Sequence, residues 1–435
     1  MAKINRFLVE YTNAVRRSGI TPDTSRPPKA VIRRFVRLFK NVEDTRIDAM
    51  TDYPLVEIIL IAFLAVLANA STWEEIAQFG RSKQRWLKKF IRLKNGIPSH
   101  DTFRRVFSLI NTDTLQAVTV KFLTENISAI RRSLGLPCDG YRHICIDGKE
   151  ENGTGRKYGS DEVVRNLQTL HVYDATNSIC LYSEPIDSKT NEIPVAQGIL
   201  PKLELKGSIV TFDALHTQKD TVAIISQGNG DYVGGLKGNQ SGLLEAVTSY
   251  FTDTLKKKTK EKPASYYETV EKAHNKAETR RFYLAPAKFG KQEWKGLKSF
   301  LLYEKHATDL VTGTETLECR YYITSLTDVE LAADAVRGHW EIEVKLHWHL
   351  DYSFREDENT TMDKTAFQNY SLLNKMALTL CKLAQPFMDH SSIRVIRKKF
   401  SWNIEEHLAL LLNTFDDETI LKTLEASNQK TKREA

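Results

Sequence analysis

Three carboxylates stand where they could act together on a phosphate. Asp147 follows the apolar run His143-Ile-Cys-Ile, Asp213 follows Ser208-Ile-Val-Thr-Phe, and Glu343 lies inside Arg337-Gly-His-Trp-Glu-Ile-Glu343-Val-Lys-Leu-His347-Trp. Short β-branched and aromatic runs of this kind read as buried strands. A carboxylate at the end of such a strand lies at the rim of the sheet, where ligands bind in α/β folds. Either aspartate taken alone reads better as a turn or cap residue after a strand. Together with a third acid on a helix, the two can converge on a pair of Mg²⁺ ions, whose hard oxygen shell suits carboxylates and phosphate oxygens. Such a site cuts and joins phosphodiesters.

The elements must then position these acids. Between Val329 and Phe354 there is no proline and only one glycine, Gly338, while Ile342, Leu346, Leu350 and Phe354 recur every fourth residue. That spacing predicts a helix with one apolar stripe. His339, Glu343, His347 and Asp351 form the adjacent polar stripe, so Glu343 sits at the margin of the buried face, where an unpaired charge is costly. It is either ion-paired or held toward a metal. The same stripe offers zinc ligands at His339, Glu343 and His347, although no Cys pair or HExxH motif accompanies them. Asp351 is the main competitor for the third-acid role, ahead of Glu356 and Asp357.

Asp147 and Asp213 are 66 positions apart, room for two further strands, at His171-Val-Tyr-Asp and Ser178-Ile-Cys-Leu-Tyr-Ser, and a helix from Ile193 to Leu203. After Asp213, Thr217 to Gln227 reads as a helix and Tyr232-Val-Gly-Gly-Leu as a fifth strand, followed by Lys237-Gly-Asn-Gln. Asp213 and Glu343 are 130 positions apart, far more than a crossover needs. Residues 252–327 are therefore expected as a mostly β insertion. Its lysine-rich opening, Leu255 to Pro263, is a solvated loop or a DNA-contact loop.

Charge is unevenly placed. The chain of 435 residues is formally +7, and residues 1–46 hold eleven basic against four acidic residues, so this segment carries the whole excess. Arg33, Arg34, Arg37 and Lys40 alternate with Phe35, Val36, Leu38 and Phe39, which predicts an amphipathic helix able to bind a phosphate backbone; a disordered tail is the alternative. Residues 50–135 read as helical. The apolar stretch Val56 to Ala70 is shorter than the roughly 20 residues a membrane span needs and is a core helix. Trp73 to Leu93 and Ser99 to Ile110 are joined by Lys94-Asn-Gly-Ile-Pro98, a helix-turn-helix carrying Arg104 and Arg105 or a plain packing hairpin. Thr365 to Met388 reads as an amphipathic helix, and the tail from Ser427 as frayed.

Five cysteines, Cys138, Cys145, Cys180, Cys319 and Cys381, form no CxxC pair. Reduced structural thiols in a soluble intracellular protein are expected, and the opening residues do not resemble a signal peptide.

Eight strings, in one order over roughly residues 50 to 360, resemble the H-repeat-associated, ISAs-type DDE transposases of bacterial insertion sequences. They are Pro54-Leu-Val-Glu-Ile-Ile-Leu, Ser71-Thr-Trp-Glu-Glu-Ile-Ala-Gln-Phe-Gly, Asn95-Gly-Ile-Pro-Ser-His-Asp-Thr-Phe, Ile146-Asp-Gly-Lys, Lys189-Thr-Asn-Glu-Ile-Pro, Thr211-Phe-Asp-Ala, Leu236-Lys-Gly-Asn-Gln and His339-Trp-Glu-Ile-Glu-Val-Lys-Leu-His-Trp-His-Leu-Asp. The resemblance implies an α/β fold: an RNase H-like catalytic core with a β-rich insertion, preceded by an α-helical DNA-binding region. Its parts would be a basic arm (1–46), a helical DNA-binding domain (47–135), core (136–251), insertion (252–327), core with the Glu343 helix (328–390) and a helical tail (391–435).

The implied catalytic and metal-binding triad is Asp147, Asp213 and Glu343, with Mg²⁺, or Mn²⁺ in its place, cutting element ends and joining them to a target. The implied partners are double-stranded DNA, as terminal repeats and target, and a second copy of the chain on paired ends, in the cytoplasm at the nucleoid. The wider group's Tyr, Arg and Lys around the third acid are here Val336, His339 and Leu350. Phosphate contacts then fall to other residues, among them His339, Lys345, Arg337, Lys149 and Lys237. A nuclease with the same core but no strand transfer, and a catalytically silent DNA-binding descendant, remain alternatives.

Overall fold

The computed structural model describes residues 3–19, 29–47, 51–158, 162–164, 166–186, 191–256, 265–273, 275–389, 391–403, 405–407 and 409. The lysine run from 257 and the tail from Ser427 lie outside them.

The described helices of the amino-terminal basic segment are packed on the protein. Helix α1 (Phe7–Ser18) buries Phe7 and Tyr11, and the Tyr11 hydroxyl donates to the Leu383 carbonyl at 2.8 Å. Helix α2 (Lys29–Phe39) buries Val31, Ile32, Phe35, Leu38 and Phe39 while Arg33, Arg37 and Lys40 face solvent. Its Phe35 ring stacks on Phe39 at 3.9 Å and on Phe63 at 5.3 Å. An apolar stripe of this width must find a core, and that requirement turns the expected arm into part of the helical region.

Phe63 belongs to α3 (Leu55–Leu67), buried on every side as its unbroken apolar sequence requires. Among the described residues no helix is long and apolar enough to cross a membrane. Helix α4 (Trp73–Leu87) starts at a capping box of Thr72 and Glu75, α5 (His100–Phe107) at the Ser99 cap, and α6 (Thr112–Ser133) at Asn111.

The sheet strands are β1 (Arg142–Glu151), the short pair β2 (Arg156–Tyr158) and β3 (Glu162–Val164), then β4 (Leu167–Asp174) and β5 (Ile179–Ile186). Helix α7 (Glu192–Ile199) leads to β6 (Ser208–Phe212), and α8 (Lys219–Gln227) to β7 (Asp231–Leu236). Apart from the β2–β3 pair, the order runs β5-β4-β1-β6-β7, with β1 antiparallel to β4 and parallel to β6, and β6 parallel to β7. An antiparallel three-strand meander followed by two parallel strands on the other side of the first is the RNase H-like order. The fold is α/β of that class.

Residues 252–327 open with the end of α9 (Ser241–Lys256) and then supply β8 (Ser265–Ala273), β9 (Lys276–Pro286), β10 (Ser299–Asp309) and β11 (Glu315–Thr324). They do not build a separate sheet. Strand β11 pairs with β7 from Tyr321↔Leu236 to Thr324↔Val233, giving one sheet of nine strands. The free edge of β7 is satisfied in this way.

The third-acid helix departs from the expected regular α-helix. After α10 (Val329–His339), capped by Asp328, the chain widens into π turns at Glu343–His347 and His349–Ser353. A stripe repeating every fourth residue drifts by about 40° per step on a helix of 3.6 residues per turn. Wider turns reduce that drift, and Ile342, Leu346, Leu350 and Phe354 are all buried.

Helix α11 (Lys364–Ala384), expected to be amphipathic, is buried along nearly its whole length. Polar residues on it find partners inside: the Lys375 ammonium donates to Ser183 Oγ at 3.0 Å, and Lys382 to the Lys345 carbonyl at 2.5 Å. On α12 (Ile393–Trp402), buried Arg397 donates to the Val66 carbonyl at 2.9 Å. Cys145, Cys180 and Cys381 are buried free thiols, and Cys138 and Cys319 exposed ones.

Candidate active site

Strands β1 and β6 run parallel as far as Ile146↔Phe212 and then part. Asp147 and Asp213 are the next residues on each. Asp147 is not the last residue of its strand, because β1 continues to Glu151 against β4; it is the first to lose its β6 neighbour, which opens one side to a ligand. Asp213 is held by its own turn, where Oδ1 accepts the backbone N–H of Leu215 at 3.0 Å and of His216 at 3.2 Å.

A brace lies behind this turn. The buried His216 side chain meets Glu192 Oε2 at 3.2 Å, and the Glu192 carboxylate lies flat against Gly148, where an added Cβ would come within 2.6 Å of it. A side chain after Asp147 would displace the Glu192 carboxylate from this position.

The π turns carry Glu343 to Asp147, while Asp213 lines the same cavity outside that close group. Asp147, Asp213 and Glu343 line one cavity of about 850 Å³, together with Lys237, His339 and Trp340. Burial, a hydrogen bond to Glu343 and the charges of Glu343 and Asp213 push the Asp147 carboxyl up to about 8. Its neighbour moves the other way: the hydrogen bond from His347 holds Glu343 well below the usual range. The two facing carboxyls therefore titrate as a pair, one displaced upward and the other downward.

His347 completes the cluster. Its Nδ1 is 3.3 Å from Glu343 Oε2 and 3.8 Å from Asp147 Oδ2, and one donor atom from each of the three residues lies within 4.8 Å of the others. Two carboxylates and an imidazole at this spacing are a donor set for a divalent cation. Mutual repulsion between the half-buried Asp147 and the exposed Glu343 is what such a cation would relieve.

The other candidates divide. His339 turns its Nδ1 to Thr211 Oγ1 at 3.1 Å, and burial lowers its pKa to about 4. With His339 so engaged, the stripe His339, Glu343 and His347 does not gather as zinc ligands. Asp351, the competing acid, is held by Lys149 at 2.8 Å instead.

Lys149, expected among the DNA contacts, is turned into the protein. It is buried and paired with Glu151 and Asp351, with Asp357 at 3.8 Å and Glu356 at 3.9 Å. Burial alone would depress its ammonium, but these carboxylates hold it well above its ordinary value. Arg337 pairs with Glu271 at 2.5 Å and Lys345 with Glu341 at 2.8 Å. Lys237 remains exposed at the cavity. Arg104 and Arg105 are exposed on α5. Arg33, Arg37 and Lys40 line a second cavity of about 440 Å³ with Lys29 and Lys89, whereas Arg34 is bound to Asn126.

Sequence reasoning missed His171, Glu192 and the placement of His347. His171 faces Asp147 only once the β1–β4 register is known. Glu192 left a faint signal, an acid at the first position of a helix capped by Asn191.

The fold and site define a class, and similarity to known proteins agrees with it. The family described as "Transposase DDE domain" matches residues 139–380, more than half of the chain, and "DDE_Tnp_1-associated" matches residues 36–123. The chain belongs to the DDE transposase family. Among its relatives, "Putative transposase YncI" of Escherichia coli O157:H7 is 30% identical over 385 residues, covering 85% of this chain and 92% of the relative. "H repeat-associated putative transposase YhhI" of Escherichia coli (strain K12) is 29% identical over 359 residues, covering 80% and 90%. "Uncharacterized protein in dhlA 3'region" of Xanthobacter autotrophicus is 34% identical over 278 residues, covering 63% and 88%.

Proposed function

We propose that this protein is a transposase that cuts DNA at the ends of an insertion sequence and joins the freed 3′ ends to target DNA. The observation that carries this is convergence: Asp147, Asp213 and Glu343, drawn from elements up to 196 positions apart, line one cavity. Asp147, Asp213 and Glu343 would hold the ions, with Asp147 within electrostatic reach of both other acids. Mg²⁺, or Mn²⁺ in its place, would supply activation of the attacking oxygen and stabilisation of the leaving one.

The chain's own groups bind and orient. The backbone donors at Leu215 and His216 keep the Asp213 carboxylate aimed, and Lys237 at the cavity offers a cation to a phosphate. The exposed basic face of α2, and Arg104 and Arg105 on α5, are assigned to the duplex backbone outside the cavity. Water attacks first, leaving a 3′-hydroxyl, and that hydroxyl then attacks the target; no covalent protein intermediate is required. A homodimer on paired ends at the nucleoid is the working assembly in this proposal.

The test uses duplexes carrying the inverted repeats that flank the gene, incubated with the full chain and Mg²⁺. Nicks exposing 3′-hydroxyls, and joining of pre-cleaved ends to a plasmid, are expected. Asp147→Ala and Glu343→Ala proteins should lose both while still shifting the duplex on a gel. Cleavage without joining identifies a nuclease, binding without cleavage a silent descendant, and full cleavage by Glu343→Ala moves the third acid elsewhere.

A further inference from the structure

The cluster beside the triad holds a residue that a purely carboxylate site does not need. His347 is buried, and both of its ring nitrogens are engaged. Nδ1 faces Glu343 and Asp147, and Nε2 lies 3.0 Å from Nδ1 of His171. His171 is fully buried on β4, directly opposite Asp147 on β1, and residues so paired point to the same face of the sheet. Asp147, His171, His347 and Glu343 thus form a closed ring of neighbours, built by one strand pair and one widened helical turn.

The turn matters. Glu343 and His347 bound the π segment, and their side chains meet across it on the side facing Asp147. Ligands of one ion with bonds near 2.1 Å sit about 3 to 4 Å apart. The separations of 3.3 Å and 3.8 Å from His347 Nδ1 to the two carboxylates fall in that range.

Resting on the catalytic reading above, we propose that His347 is a nitrogen ligand of the ion held between Asp147 and Glu343, oriented by His171. Imidazole ligation through Nδ1 leaves the proton on Nε2, where it donates to His171 Nδ1, an imidazole in the place where metal-bound histidines ordinarily meet a carboxylate, carbonyl or water. A site with two carboxylates and one imidazole favours transition-series ions over Mg²⁺, because imidazole is a poor ligand for Mg²⁺ and a good one for the softer cations. The chain therefore binds Mn²⁺ more tightly than Mg²⁺ at this position, and the selectivity resides in His347.

The test needs no DNA and no turnover. Mn²⁺ and Mg²⁺ are titrated separately into the chelator-treated full chain, with binding read by thermal shift and by electron paramagnetic resonance for Mn²⁺. In the wild type, Mn²⁺ should bind at least tenfold more tightly than Mg²⁺, and the bound-Mn²⁺ spectrum should show hyperfine coupling to an imidazole nitrogen. His347→Ala should lose roughly 10- to 100-fold in Mn²⁺ affinity and much less in Mg²⁺ affinity, and His171→Gln should weaken Mn²⁺ binding in the same direction.

Absence of nitrogen coupling in the wild type overturns the assignment, and that measurement does not depend on any variant folding. An unchanged ratio of the two affinities in a folded His347→Ala protein overturns it too. Asp147→Asn separates the two levels. If it binds Mn²⁺ like the wild type, the carboxylate site itself is wrong; if it loses binding while the nitrogen coupling was never present, only the role of His347 fails.

Discussion

Asp147 and His171 stand opposite each other across the antiparallel β1–β4 pair, which places a buried imidazole and an acid of the cavity on one face of the sheet. Through His171 the strand pair grips His347 on the widened helix, and through His347 it reaches Glu343. The third acid is thus located by a side-chain chain that starts beside the first.

The crowded carboxylates predict a pH signature in chelator. The folded Asp147 pKa of about 8 lies above its ordinary value of 3.8. Stability that is fully present below the ordinary value is then lost as pH rises toward 8, because the folded state binds the extra proton in that window. In EDTA the melting temperature of the wild type should fall between pH 5 and 9, and Asp147→Asn should lack that part of the fall. At pH 8 the variant should melt roughly 2–5 °C higher than wild type. Excess divalent cation should raise the wild-type melting temperature but not the variant's. Parallel pH curves for the two proteins in EDTA would contradict the arrangement.

Lys149 predicts a stability loss without a DNA phenotype of its own. It lies among four carboxylates, of which Glu151 and Glu356 are fully buried. Removing one member of such a cluster leaves uncompensated charge and costs roughly 3–5 kcal/mol. Lys149→Met should lower the thermal transition by several degrees at pH 7, with much of the loss recovered at pH 5 as the carboxylates protonate. A variant as stable as wild type at pH 7 would show that the cluster is neutral in the folded protein.

Gly338 predicts a packing defect transmitted to the site. A Cβ there would stand 2.6 Å from the His143 ring, and that ring is anchored to Thr211 at 2.9 Å in the layer beneath Asp213. Gly338→Ala should destabilise by roughly 1–3 kcal/mol, as overpacking of a core does. Cleavage should fall more than DNA affinity, since α10 leads directly to Glu343. Equal losses in the two assays would place the defect elsewhere.

The basic face of α2 predicts a salt effect. If Arg33, Arg37 and Lys40 contact backbone phosphates, replacing all three by Ala should weaken binding to specific and unrelated duplexes alike. The slope of log affinity against log salt should shrink by about 0.9 for each lost contact. Fluorescence anisotropy across a salt series measures this, and an unchanged slope would route the duplex past another surface.

Much of this was legible beforehand. The runs ending near Asp147 and Asp213 are strands because β-branched residues suit a buried pleat, and Val329 to Phe354 is helical because its apolar residues recur along one side. What misled was local likeness: Lys149, two residues from Asp147, read as a phosphate contact, yet acids 200 positions later enclose it. Thr365 to Met388 read as amphipathic, because polar residues satisfied inside a core look no different in sequence from polar residues facing water.

By itself, the sequence determined the element types and the family and put forward the three acids, since periodicity and short strings are properties of neighbours along the chain. Only the tertiary structure decided the register that sets His171 against Asp147, the widened turn that brings His347 to Glu343, and the brace from Glu192 through His216 to the Asp213 turn. Those are contacts between residues far apart in sequence, and their distances follow from how the layers pack rather than from any local preference.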